Sequence, residues 1–260
     1  MFSFFRKKSE LDQLTDQYRA LLEESFKLST TDRKASDLKR AEAEEVAVKM
    51  EELQKKREIV ARDLEGARVT VYCAGSARVA SHYLDGASEL AKDLVDAGAT
   101  LVFGGGKTGL MGHIASEVIK LGGNASGIMP RFLKDIEMDH PQVTDFTLVD
   151  TMAERKAALL ADTEGIIALP GGCGTLEELL EAITLKRLGQ YLKPIVIVNQ
   201  NGFYDDLLRQ LARMVDEEFM NPEHLQLWVA VDHPRDAVKA ILTTPDLSAA
   251  VLSRAAVQAK

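Results

Sequence analysis

The chain predicts an α/β fold, a doubly wound parallel sheet of about seven strands preceded by a helical hairpin. Three observations carry that expectation. From Arg68 onward, short β-rich runs alternate with helix-length amphipathic segments, the pattern of strands joined by crossover helices. Residues 1–66 contain no proline, and their single glycine is Gly66, so that stretch reads as helix. A length of 260 residues, 46% of them hydrophobic and 28% charged, allows one sizeable core and an appendage.

In the first stretch Leu11, Leu14, Tyr18, Leu21, Ser25 and Leu28 alternate spacings of three and four, a narrow seam of the coiled-coil kind. Ser29, Thr30, Thr31 and Asp32 are helix-capping residues, and Leu38, Val46, Met50, Leu53, Val60 and Leu64 mark a second amphipathic helix. The stretch holds 14 basic and 15 acidic residues, which read as solvated helix faces. Strands follow at 68–73, 100–103, 125–129, 146–149, 165–169, 194–198 and 228–231, with helices near 82–97, 110–121, 152–162, 175–188, 204–218 and 234–242. The expected organisation is a helical arm over 1–66, a nucleotide-hydrolase domain over 67–242 and a loosely held tail over 243–260.

Composition excludes several classes of function. A formal net charge of -8 opposes nucleic-acid binding, and 6% aromatic residues supply few stacking platforms. Cys73 and Cys173 are too few for a disulfide framework, and no Cys or His spacing suits a metal. The opening MFSFFRKK reverses the order of a signal peptide, and no run reaches membrane-spanning length. These readings predict a cytoplasmic protein without metal, membrane or nucleic-acid partners.

Ligands of such sheets bind outside the carboxyl ends of the strands. Three loops there are rich in glycine: Cys73-Ala74-Gly75-Ser76, Gly104-Gly105-Gly106-Lys107-Thr108-Gly109 and Pro170-Gly171-Gly172-Cys173-Gly174-Thr175. Glycine lets backbone N–H groups approach an anion, and a following helix adds the positive end of its dipole, so phosphate is the expected ligand. The second loop matches G-x-G-x-x-G, but the next strand ends at Met129-Pro130-Arg131 rather than at a ribose-binding acid. A P-loop fails because Leu101 stands where its first glycine belongs.

Two T-x-x-E stretches, Thr151 to Glu154 and Thr175 to Glu178, each read as a capping box. Arg155 and Lys156 oppose the dipole of the helix they begin, which either a bound anion or exposure to water would explain. Glu178 lies one turn from a glycine loop, where an unused negative charge would be unhelpful beside a phosphate.

The stretches GGGKTGLMG (104–112), MAERK (152–156) and PGGCGTLEE (170–178) resemble the hallmark motifs of the Lonely Guy family, in the same order and spacing. Similarity runs from Val69 to Leu242 and includes IEMDHP (136–141) and LGQYLKPIVIVNQNGFYDDLL (188–208). The family was long labelled lysine decarboxylase, yet nothing here resembles a pyridoxal-phosphate site. The resemblance implies a modified Rossmann fold, a homodimer or larger homo-oligomer, and no cofactor. It implies hydrolysis of cytokinin riboside 5′-monophosphates or AMP to the free base and ribose 5-phosphate. It carries nucleotide contacts onto Gly75, Ser76, Gly105, Glu137, Arg155, Lys156, Gly171, Gly172, Cys173, Gly174, Thr175, Leu176, Glu177, Glu178 and Thr184, with Arg155 and Glu178 catalytic. The first loop departs from the family's CGSS by reading CAGSAR, and Cys173 fills the variable position of PGGxGT.

Cleavage of a C1′–N9 bond develops positive charge on the ribose, so a carboxylate beside the sugar stabilises it and helps to activate water. Glu178 is the candidate. Arg155 suits either the phosphate or the departing base. The rival reading is a non-catalytic carrier of a nucleotide or phosphorylated cofactor on the same fold.

Overall fold

The computed structural model describes residues 10–29, 32–61, 63–137 and 139–247. They divide into two compact units between residues 62 and 63. In the first, α1 (Glu10–Leu28) packs along α2 (Arg33–Ala61). The seam of α1 faces inward: Leu14, Tyr18, Leu21 and Leu28 are half-buried and Ser25 is buried. Asp32 accepts a hydrogen bond from the Ala35 N–H at 3.0 Å and so caps α2.

α2 corrects the expected apolar row. Leu38 is 62% exposed, and the inward row runs through Ser36, Lys39, Ala43, Val46 and Met50. Small residues let the backbones approach there. The Ser25 and Ser36 hydroxyls each donate to the other residue's carbonyl, at 3.0 and 2.8 Å, which satisfies two buried polar groups. Leu64, expected on α2, is buried in the core of the second unit. Thr30, Thr31, the tail beyond Leu247 and the side chains of Leu11, Leu53 and Val60 lie outside the described residues.

The second unit is a seven-stranded parallel sheet in the order β4-β3-β2-β1-β5-β6-β7. The strands are β1 (Arg68–Tyr72), β2 (Thr100–Phe103), β3 (Ala125–Pro130), β4 (Asp145–Val149), β5 (Thr163–Ala168), β6 (Ile195–Val198) and β7 (Val229–Val231). The chain builds outward from β1 to β4, then crosses back to pair β5 with the free side of β1. α3 (Ser81–Asp96), α4 (Gly109–Lys120) and α9 (Ala237–Thr243) bury one face; α6 (Met152–Leu160), α7 (Cys173–Arg187) and α8 (Asp205–Asp216) bury the other. Alternation along β1 serves both layers, with Val69 and Val71 in one core cluster and Tyr72 in the other. Strands buried on both faces read as unbroken apolar runs, as in the IVIV of β6.

Short helical elements depart from the sequence reading, including 3-10 turns at Gln200–Gly202 and Pro222–Leu227 that it did not contain. α5 (Arg131–Glu137) was not expected, because seven residues with only Phe132, Leu133 and Ile136 apolar span two turns, too few to display a helical period. The helix expected at 234–242 is a 3-10 turn, Pro234–Asp236, leading into α9. Among the described residues no helix is long and apolar enough to cross a membrane.

Candidate functional site

Strand order reverses at β1, and sheets of this kind take ligands at such a switch point, here outside the carboxyl ends of β1 and β5. The glycine loops at this edge are tied to one another. Ala74 N–H donates to the Pro170 carbonyl at 3.3 Å, and Met111 N–H to the Ala74 carbonyl at 3.1 Å. The Thr108 hydroxyl donates to the Gly75 carbonyl at 2.9 Å. Gly109 has φ +65°, and a Cβ there would lie 2.5 Å from the Gly75 carbonyl carbon, so only glycine lets α4 start against the first loop. Gly75 and Ser76 are exposed, and the Ser76 hydroxyl accepts from the Arg78 N–H at 3.3 Å. Gly104, Gly105 and Gly106 are buried. The segment after α5 latches them: Asp139 forms an antiparallel bridge with Gly106, and His140 N–H donates to the Gly105 carbonyl at 3.0 Å.

The two T-x-x-E stretches fold differently. Thr151 caps α6 as expected, its hydroxyl accepting from the Glu154 N–H at 3.1 Å. The Glu154 carboxylate accepts from the N–H groups of Asp150 and Thr151, which holds its pKa below the usual carboxylate range. The start of α6 is therefore filled by its own acid. α7 instead starts at Cys173 with Gly172 as its N-cap, and no side chain caps it. Thr175 is then the third helical residue, buried in the first turn, and Glu178 is the sixth, so their expected capping box is absent. Cβ atoms built on Gly172 or Gly174 would meet nothing within 4 Å, and Cys173 is exposed. The first-turn N–H groups of α7 thus have no side-chain cap, with open space before them.

Arg155 and Lys156 leave the start of α6 in different directions. Arg155 is only 6% exposed, which removes exposure to water as its explanation. Its Nη2 donates to the Gly104 carbonyl at 3.2 Å, Nη1 lies 4.0 Å from the Met152 sulfur, and Nε is buried without a hydrogen-bond partner. A Cβ on Gly104 would stand 2.3 Å from Nη2, so this glycine makes the room the guanidinium occupies. Lys156 turns to α7, where its ammonium pairs with Glu177 and with Glu181, the latter at 2.6 Å. Those bonds raise its pKa above the ordinary lysine value.

Glu178 is half-buried on α7. The Cys73 thiol is pushed up by burial and then by the negative charge of Glu178, which marks that carboxylate as a neighbour of the carboxyl end of β1. The Tyr72 phenol is raised by burial first, then by Glu178, Tyr191, Glu181 and Glu177. The structure thus gathers Gly75, Ser76, Gly105, Arg155, Gly171 to Thr175 and Glu178 around one sheet edge. The half-buried Leu176 side chain packs against the apolar cluster beneath α7. Thr184 is exposed, its hydroxyl bonded to the Leu180 carbonyl at 2.8 Å, about 16 Å along α7 from the helix start. Glu137 ends α5, and its side chain lies outside the described residues. Sequence reasoning had Gly104 only as part of the phosphate-binding glycine loop, without its contact to Arg155, and did not single out His140, whose only signal was the DHP sequence.

The family model described as possible lysine decarboxylase matches residues 111–241. A cytokinin riboside 5′-monophosphate phosphoribohydrolase of Arabidopsis thaliana is 38% identical over 174 residues, covering 67% of this chain and 76% of its own length. A second from that plant is 42% identical over 154 residues, covering 59% and 72%. One from Oryza sativa subsp. japonica is 39% identical over 171 residues, covering 66% and 71%. Among solved structures, the molybdenum cofactor carrier protein of Chlamydomonas reinhardtii superposes with a TM-score of 0.53 at 20% identity, covering 68% of this chain and 96% of that one. That likeness is one of fold.

Proposed function

The chain belongs to the Lonely Guy family of cytokinin riboside 5′-monophosphate phosphoribohydrolases, and on that premise we propose that it hydrolyses purine nucleoside 5′-monophosphates, cytokinin riboside monophosphates or AMP, at the N-glycosidic bond. Water adds at C1′, the C1′–N9 bond breaks, and the base leaves with the bonding pair and takes up a proton. The products are the free base and ribose 5-phosphate.

One observation carries this reading beyond family membership. Arg155 is a buried guanidinium with no carboxylate partner among the described residues and with an unsatisfied Nε. A buried cation without a counter-ion costs several kcal/mol, on the order expected for a lost partner, and an anionic substrate supplies the missing acceptor. In this account the uncapped start of α7 and the loop Gly171 to Thr175 hold the phosphate, with Gly75, Ser76 and Gly105 closing around it. Glu178 stabilises positive charge on the ribose and polarises the attacking water. A carrier would need the phosphate site but no carboxylate beside the sugar, and fold alone conveys no carrying function.

We read Leu180 on α7 and Leu188 at its C-cap, 40% and 36% exposed with Thr184 between them, as a contact with a second copy of the chain. That arrangement would bring Thr184 toward a nucleotide, and light scattering on Leu180→Lys tests it by asking for a smaller particle than wild type. Two free cysteines, Cys73 buried and Cys173 exposed, fit a reducing cytoplasm.

Incubation with AMP followed by chromatography tests the reaction. Adenine and ribose 5-phosphate should appear together, with adenosine left intact for want of the phosphate. Equal cleavage of adenosine would contradict the phosphate site, and binding of AMP without any product would establish the carrier reading instead.

A further inference from the structure

Lys156 is carried by resemblance into the set of nucleotide contacts, but its surroundings argue for other work. Its ammonium is shared between Glu177 and Glu181, which stand one turn apart on the same face of α7. At 19% side-chain exposure it is more enclosed than either carboxylate, at 52% and 36%. One cation between two carboxylates leaves that cluster with a net charge of about -1. Glu178 adds another negative charge beside it. A dianionic phosphate brought to this ammonium would meet a negative field.

We infer that Lys156 is a positioning residue, which clamps α7 to α6 through Glu177 and Glu181 and thereby fixes Glu178 relative to Arg155. The inference rests on the hydrolase reading above. Arg155 and Lys156 are consecutive on α6 and diverge by about 100°. The first reaches the Gly104 carbonyl at the end of β2, and the second reaches α7. One helix start therefore sets the separation between the buried guanidinium and the helix that bears the reactive acid. Removal of the ammonium would leave Glu177 and Glu181 as an unscreened like-charged pair at i and i+4, flanking Glu178, and α7 would shift to separate them.

The test compares wild type, Lys156→Met, Lys156→Arg and Glu181→Gln, with melting temperature, kcat and KM for AMP, and inhibition by ribose 5-phosphate. Lys156→Met should lower kcat by about 10- to 100-fold while KM and product inhibition stay within about 2-fold. Lys156→Arg keeps a cation able to bridge both acids and should recover most of the loss. Adding Glu181→Gln to Lys156→Met should cost less than Glu181→Gln costs alone, since the bond is already gone. If Lys156→Met fails to fold, Glu181→Gln alone must still lower kcat with KM held. A rise of KM by about 10-fold or more with kcat unchanged would make Lys156 a phosphate ligand and overturn the inference, as would no change in either. Wild-type turnover of AMP reports on the hydrolase reading separately, and AMP affinity of Lys156→Met by calorimetry, expected to match wild type, needs no turnover.

Discussion

His140 illustrates how much a single side chain outside the glycine loops contributes to them. It is 4% exposed, its N–H holds the Gly105 carbonyl, and its ring meets the Ser116 hydroxyl through Nε2 at 2.9 Å and the Gln142 N–H through Nδ1 at 3.3 Å. Because the backbone N–H of Gln142 can only donate, Nδ1 is the acceptor and Nε2 carries the proton. A neutral ring is thus built in, and burial lowers its pKa below the ordinary 6.5. The sign follows from linkage. Above that value the ring is neutral in both folded and unfolded chains, and its contribution is intact; as pH falls, the unfolded chain protonates first and stability is lost until the folded pKa is passed. Between about pH 7.5 and 5.5 the melting temperature of wild type should therefore fall more than that of His140→Asn. Equal losses in the two proteins would show that His140 is not the group responsible.

At the scale of elements, the starts of α6 and α7 differ in how they are capped. Both begin with a strand, a turn and T-x-x-E, yet Glu154 fills the first while Gly172 leaves the second empty. Gly172→Asp makes the contrast measurable. Gly172 has φ -88°, ordinary for any residue, and open space at its Cβ position, so aspartate fits and supplies the missing cap. The variant should be more stable by up to about 1 kcal/mol, and should bind AMP at least about 100-fold more weakly because its own carboxylate occupies the phosphate site. Stabilisation with unchanged AMP affinity would mean the phosphate binds elsewhere. The same pair shows what was legible in the sequence. The strands were legible, because apolar runs such as PIVIV keep their meaning wherever they pack, and the glycine loops fell at their ends. The capping residue of α7 was not, since T-x-x-E satisfies the motif in either frame, and only the backbone of Gly171 and Gly172 decides which. Leu38 was misassigned for a related reason: the helices of the arm meet through Ser36 and Ala43, whose smallness a hydrophobic pattern does not register. The burial of Arg155 depends on Gly104, 51 residues away, and no local pattern contains it.

At the scale of the molecule, the sheet brings loops from distant parts of the chain to one edge, and the claim of catalysis depends on Glu178 acting as a charge there. With the capping box absent, that carboxylate does not cap the start of α7, and the melting temperature of a Gln variant reads any other contribution it makes to folding. Glu177→Gln is the control: Glu181 still holds Lys156 in that variant, so its loss should be no larger than the modest one expected of Glu181→Gln. The decisive measurement is AMP hydrolysis by wild type, Glu178→Gln and Glu177→Gln under one set of conditions, with melting temperatures alongside. Glu178→Gln should melt close to wild type and turn over roughly 100- to 10,000-fold more slowly, with Glu177→Gln much nearer wild type. A folded Glu178→Gln that releases adenine at the wild-type rate would contradict the account.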